Sequence, residues 1–229
     1  MAKLNQIVYD IREALKQYSD DSEISDRYII YLYNNKRSKY LRRDLNDYSK
    51  SIDNSIQQTF CIGVEEVSVT ECGVDLDCET ILRTIKPLPK PLELHTKTAI
   101  TKVKPISRVS LPFNFISKEK AYYLDGSRFP NSIYAFLDTD GYIYLYSKSM
   151  DYKLLECISI TGIFEDPLSL EGFSTCSNSG VDDTPCFNKD ESEYPLQPHY
   201  IDLIRKEIIT DLMGEHQNKE DKINNSTDG

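Results

Sequence analysis

The chain has 229 residues and a formal net charge of -10, from 27 Lys+Arg against 37 Asp+Glu. That length allows one large domain or two small ones, and the sign excludes general adhesion to nucleic acid or to an anionic membrane. Hydrophobic residues make up 39% and charged residues 28%, a globular but polar balance, and nine glycines leave little for phosphate-cradling loops.

The opening Met1-Ala2-Lys3-Leu4-Asn5-Gln6 lacks the apolar core of a secretory leader, and no run approaches membrane-spanning length. The expectation is a chain folded in a cytosol, with its six cysteines as reduced thiols. Leu4, Ile7, Val8, Ile11, Leu15 and Tyr18 recur at helical spacing and predict a first helix over residues 3–18. Asp20-Asp21-Ser22 breaks it. Ser25 is an N-cap for a second helix, Asp26 suits its first turn, and Ile24 and Ile29 stand at the positions of a hydrophobic staple. That helix runs to about Tyr48 and should pack antiparallel to the first.

At ~100° per residue, Ile30, Tyr33, Tyr40, Leu41 and Tyr48 share one side of the second helix. Lys36, Lys39, Arg42 and Arg43 share another. Arg37 and Asp44 project into the apolar stripe, where a guanidinium needs a partner; a structural ion pair with Asp44 is the expectation. On an acidic chain, a confined basic helix is a docking surface.

From about residue 57 to 163 the pattern is β-rich, and the run Lys86-Pro87-Leu88-Pro89-Lys90-Pro91 is an extended connector. Residues 132–138 and 142–147 flank Asp140-Gly141, a favoured two-residue turn, so a hairpin is predicted with Phe136 opposite Leu145 and Asp138 opposite Ile143. Tyr134, Phe136, Ile143 and Leu145 would face the core. Leu137, Tyr142, Tyr144 and Tyr146 would face outward and need cover from another element or subunit. A further strand over 152–160 should pair alongside. Ile201, Ile204, Ile208 and Leu212 form the stripe of a last helix that starts at Pro198 and ends near Gly214.

Charge is uneven along the chain. Residues 83–128 are basic, whereas Glu65, Glu66, Glu71, Asp75, Asp77 and Glu79 stand together without Lys or Arg, and 151–211 is acid-rich. No catalytic motif emerges. Cys72/Cys78 and Cys176/Cys186 do not fit zinc-ligand spacing, and His95, His199 and His216 are scattered. Asp138-Thr139-Asp140-Gly141 begins like a calcium loop but runs into a strand. The expectation is therefore no enzyme, no metal and no cofactor.

The segments Leu4 to Glu13, Tyr18 to Arg27, the basic run through Arg43, the hairpin Tyr134 to Tyr146 and the Tyr194-Pro195-Leu196 to Leu212 helix resemble structural proteins of short-tailed bacteriophages, the crAss-like gut phages in particular. The resemblance implies a head–tail connector, or a ring of the neck and tail tube beneath the portal. It also implies a cyclic, commonly twelvefold, homo-oligomer. Its partners would be the portal protein and adjacent tail ring proteins, with genomic DNA passing at most non-specifically and no membrane. Its place would be the virion neck or tail, and the host cytoplasm during assembly.

The fold expected is α+β: an N-terminal helical hairpin (1–56), a central antiparallel β region (57–170), an irregular loop (171–193), a C-terminal helix packing on the helical part (194–214) and a disordered tail (215–229). Arg37, Lys39, Arg42, Arg43, Tyr142, Tyr144, Tyr146, Ile204 and Ile208 are the candidate residues for contact with neighbouring copies or the portal. The alternative is a cytosolic nucleic-acid-binding accessory protein using the basic second helix.

Overall fold

The computed structural model describes residues 2–16, 24–47, 52–72, 79–95, 98–106, 111–121, 123, 132–177 and 180–224. The break expected at 20–22, Tyr48, Asp75, Asp77 and Cys78 lie outside them. The chain forms two compact units, one of residues 1–56 and 188–229, the other of 57–187.

The first unit is helical. Helix α1 (Leu4–Lys16) buries Leu4, Ile7, Val8, Ile11 and Leu15. Ser25 caps α2 (Asp26–Leu45), its hydroxyl accepting from the Tyr28 amide at 3.3 Å. Arg12 of α1 donates to Asp26 at the start of α2. The last helix runs over Pro198–Asn224, ten residues past Gly214, and buries Ile204, Ile208 and Leu212. A helix that carries Lys206, Thr210 and Asp211 on its wet face needs no stop at an exposed glycine, whose penalty is only about 1 kcal/mol.

The second unit corrects the antiparallel expectation. Its strands are β1 (Gln58–Ser68), β2 (Thr80–Thr84), β3 (Ile100–Pro105), β4 (Asn114–Phe115), β5 (Tyr134–Leu137), β6 (Ile143–Tyr146), β7 (Cys157–Gly162), β8 (Ser174–Ser177) and β9 (Gly180–Pro185). The main order is β3-β7-β1-β2-β6-β5-β4, with β8 and β9 attached to β1. The sheet is mixed, because β4 pairs parallel with β5. The residues between these two strands include the short helix α3 (Lys118–Ala121), and they make a crossover long enough for parallel pairing. A two-residue strand leaves no periodicity for a sequence reading to find. The sheet nearly closes on itself: the Phe113 amide donates to the Val103 carbonyl of β3 at 2.7 Å. A four-residue helical turn, Val69–Cys72, follows β1.

Strand β1 carries the architecture. Its first half pairs with β7 (Phe60↔Ile160) and its second half with β2 (Val67↔Ile81). Phe60, Ile62, Leu82, Val103, Ala135, Ile143, Leu145, Ile158 and Ile160 make the interior cluster. Gly162 allows the close approach of β3 and β7, since a Cβ there would lie 3.1 Å from the Ala99 carbonyl oxygen, tighter than an ordinary contact.

The β5–β6 hairpin forms one residue out of the expected register. Tyr134 pairs with Tyr146, Ala135 with Leu145, Phe136 with Tyr144 and Leu137 with Ile143. The Asp138 amide donates to the Tyr142 carbonyl, and Gly141 takes φ 84. The loop is thus a three-residue type, with glycine in its left-handed position. Because side chains alternate, the one-residue change swaps the faces of β5, while Ile143 and Leu145 of β6 keep the interior side expected for them. Ala135, Leu145 and Ile143 line the interior, while Phe136, Tyr144 and Tyr146 join Val67, Ile81 and Ala121 in a second cluster.

Two further expectations change. Residues 150–154 form a 3₁₀ helix, and strand β7 begins at Cys157 and pairs with β1 and β3, away from the hairpin. Within the stretch expected to be irregular, β8 and β9 pair with each other, and β8 pairs with β1 at Cys61↔Ser174. That pairing brings Cys61 and Cys176 together in a disulfide, Cα to Cα 5.1 Å, although 115 residues separate them. The expectation of reduced thiols fails there because strand pairing places the two sulfurs in bonding range. Cys157 and Cys186 are free; burial pushes the Cys186 thiol up to about 11.

Candidate interaction surface

The basic helix divides its cations between inside and outside. Arg37 is fully buried, its Nε donating to the Pro195 carbonyl at 3.0 Å and its guanidinium 5.7 Å from the Tyr194 ring. Tyr194 packs edge-on against Tyr33 and donates to Asn34. Asp44 accepts from Tyr200 and lies 3.7 Å from the Arg43 Nε.

Lys36 reaches Asp211 at 2.7 Å and Glu207 at 3.3 Å on the last helix. Arg43 covers the Tyr40 ring at 4.8 Å and donates to the Tyr200 hydroxyl at 3.5 Å. Tyr40 and Tyr200 stack at 5.1 Å, and Tyr40 donates to Glu207. Arg205 joins the same helix to Asp10 of α1 at 3.1 Å. Much of the basic stripe is thus spent holding the last helix to α2. Lys39 and, despite its contacts, Arg43 remain exposed, with half-buried Arg42 beside them and Tyr28 and Tyr31, 41% and 60% exposed, along the outer side.

This network titrates. The Tyr40 hydroxyl bond, joined by Lys36, holds the Glu207 carboxyl below the usual glutamate range against the opposing effect of burial. A depressed folded value means that the stabilisation is present above the unfolded pKa and is lost as pH falls through the folded one. Acidification below about pH 4.5 is therefore expected to lower the midpoint of thermal unfolding followed by helical circular dichroism. Glu207→Gln should flatten that acid limb, and an unchanged acid limb in this variant would refute the assignment.

The tyrosine face of the hairpin is covered within its own unit. Tyr144 and Tyr146 are buried, and Tyr144 stacks on Phe136 at 5.6 Å and donates to Asp140 at 2.8 Å. Burial and that bond raise the Tyr144 hydroxyl above the ordinary tyrosine value. Tyr142 is half-buried under the Arg83 guanidinium at 4.6 Å, and Arg83 in turn pairs with Glu65 at 2.7 Å. Ile204 and Ile208 are fully buried. Of the nine candidate contact residues, Arg37, Tyr144, Tyr146, Ile204 and Ile208 are thus core residues; Lys39, Arg42, Arg43 and Tyr142 keep some exposure.

A cavity of about 670 Å³ in the second unit is walled by Leu88, Leu92, Ile100, Phe115 and Leu137. Its wall holds the half-buried ion pair in which Lys118 Nζ reaches both Asp138 oxygens, at 2.7 and 2.8 Å, and the exposed pair Lys90–Glu93 at 3.1 Å. Burial pushes the Asp138 carboxyl up, but the Lys118 bonds and the Thr139 amide outweigh it and leave the group below the usual aspartate range. Among the described residues, no group of three or more His, Cys, Asp or Glu is placed to hold a metal ion, and no helix is long and apolar enough to cross a membrane. Sequence reasoning missed the Lys118–Asp138 pair and the disulfide. Neither has a local signal, because their partners meet only through strand pairing.

Two helical elements locked by ion pairs, a nearly closed β unit and charged outer faces are features of a structural protein that works by contact. Residues 6–229 match the family described as phage tail ring protein 2, and the chain belongs to that family. It is a phage tail ring protein of the crAss-like group and a structural component of the virion. It is 26% identical over 225 residues to Ring protein 2 of Bacteroides phage crAss001, covering 98% of this chain and 96% of that relative.

Proposed function

We propose that this protein forms a closed ring in the phage neck, twelvefold as the resemblance to phage connector proteins implies, joining the portal to the tail around the DNA channel. The observation that carries the reading is the family match over residues 6–229. The outer side of α2, with Lys39, Arg42 and the exposed Tyr28 and Tyr31, would dock on the portal or an adjacent ring. Exposed aromatic and cationic side chains in one stripe are a composition that interfaces favour.

The test is the mass of the purified protein alone and mixed with its portal protein, for wild type and for Lys39→Glu/Arg42→Glu. A complex with the portal is expected for wild type and should be lost in the variant while its circular dichroism is retained. A wild-type protein that ignores the portal under all conditions would overturn the connector reading. A variant that binds normally would overturn the role of α2.

A further inference from the structure

The second unit stays open along one seam, between β3 and β4. The Phe113 amide joins the two sides at the Val103 carbonyl, 2.7 Å away. From there β4 runs toward the Ile100 end of β3, and the two strands part around the cavity of about 670 Å³, which Ile100 and Phe115 both line. Leu111 stands at the opposite, Pro105 end, because it lies two residues before Phe113 and Pro112 holds it extended. At 84% it is the most exposed large apolar side chain among the described residues. The steps of β3 from Ile100 to Pro105 separate the two ends by roughly 17 Å, at about 3.3 Å per residue.

The two ends carry opposite charge. Beside Leu111, Lys102 is exposed and Lys104 half-buried, and they share the outer face of β3 because the fully buried Val103 lies between them. Among the described residues neither lysine makes an ion pair. The cavity is lined by two lysines, Lys90 and Lys118, and by four acids, Glu93, Glu119, Asp138 and Asp140. Lys90 is held by Glu93 and Glu165, and Lys118 by Asp138. Glu119 and Asp140 are left over, both exposed and, among the described residues, in no ion pair. The bonds that Asp140 accepts come from neutral donors, the Tyr142 amide and the Tyr144 hydroxyl. Two cations beside an exposed leucine thus match two anions at the rim of an apolar cavity.

We propose that Leu111 of one copy fills the cavity of the next, with Lys102 and Lys104 set against Glu119 and Asp140, and that this is the lateral contact of the ring. This rests on the ring reading above and specifies which surfaces close it. Plug and socket lie at opposite ends of one seam, so a copy cannot fill its own socket. Each junction then uses two different patches, the head-to-tail geometry that a closed ring requires. Leu88, Leu92 and Leu137 give the leucine an apolar bed inside a charged rim, the usual anatomy of an interface. The charges also select the pairing, because two lysine ends or two acidic rims repel each other.

Replacing Leu111 with the photo-crosslinker p-benzoylphenylalanine and irradiating intact particles tests the contact. The Leu92 amide is bonded to Ile163, beside the Gly162↔Ile100 pair. Within one chain it therefore lies at the far end of β3 from position 111, beyond the reach of the probe, and a link from position 111 to Leu88 or Leu92 reports two copies. These links are expected in the peptide map. Links to other proteins alone, or none from particles that contain the labelled chain, would overturn the contact and leave the ring reading standing; absence of the wild-type protein from particles would overturn both. Substitutions give a second readout. Leu111→Ala should cut incorporation into particles roughly tenfold to a hundredfold, the worth of burying one leucine. Its unfolding midpoint should match wild type, since the side chain is exposed in the single chain. Lys104→Glu should also cut incorporation, and adding Glu119→Lys should restore it. Normal incorporation of Leu111→Ala, or failure of Glu119→Lys to restore the lysine variant, would overturn the proposal.

Discussion

Replacing Arg37 with alanine is expected to destabilise the helical unit by about 3 kcal/mol or more, the largest effect of any single change on α2. The residue sits in the middle of a helix that is otherwise wet on its basic side, yet its side chain is 0% exposed. Its Nε satisfies the Pro195 carbonyl at 3.0 Å, immediately before the last helix begins at Pro198. Its guanidinium also lies against Tyr194, which packs on Tyr33. Alanine would leave a buried acceptor without its donor and a void the size of the lost side chain. Both penalties fall on the joint between α2 and the last helix, and they are large beside a total stability of about 5–15 kcal/mol. Lysine should not rescue, because it lacks the planar fork that reaches the carbonyl while lying on a ring. Urea unfolding followed by circular dichroism measures the loss. Lys39→Ala, two residues on and exposed, serves as control and should stay within about 0.5 kcal/mol of wild type. An Arg37→Ala midpoint equal to that of the control would remove Arg37 from the core.

Reduction of the Cys61–Cys176 bond is the second large effect. Cys61 is 2% exposed in β1, and its partner stands at the exposed end of β8. The link closes a loop with a sequence separation of 115. In the chain-entropy account, a cross-link over a loop of that length stabilises by about 4–5 kcal/mol. It also fastens β8, and through it β9, to β1, which otherwise meets β8 in the single pairing Cys61↔Ser174. Cys176→Ser, or reductant added to wild type, is expected to lower the unfolding midpoint by a similar amount. Cys157→Ser should not, because that thiol is free. Peptide mapping without reduction should recover the linked pair. A midpoint indifferent to reductant would show that the link adds nothing to the fold.

The helical unit was legible in the residues themselves. The stripe Leu4, Ile7, Val8, Ile11 and Leu15 gave α1, and Ser25 followed by Asp26 marked the start of α2, because a period of 3.6 and a cap are properties of adjacent residues. The same projection put Arg37 in the apolar stripe of α2. It also placed Lys36 and Arg43 on a free docking face, where they are instead engaged with Asp211, Glu207 and Tyr200 of the last helix. Periodicity tells which residues share a face and is silent about what covers it.

The β unit was legible only in part. Asp140-Gly141 announced a turn, but a two-residue type I′ loop needs positive φ at both residues, and Asp140 lacks it while Gly141 has φ 84, so the loop spans three residues. That single residue of register moved Phe136 from the face of Leu145 to the face of Tyr144 and Tyr146. The parallel β4–β5 pair, the β8–β9 hairpin and the disulfide arise from pairings between distant segments, which local composition does not encode.

By itself, then, the amino-acid order determined the three helices, the Ser25 cap of α2 and the family to which the chain belongs, since each depends on neighbours along the backbone or on residue identity. The tertiary structure alone decided which cations remain outside, which aromatic face is covered and where the sheet ends. Those outcomes depend on which remote segments come within hydrogen-bonding distance, and that is a property of the folded chain.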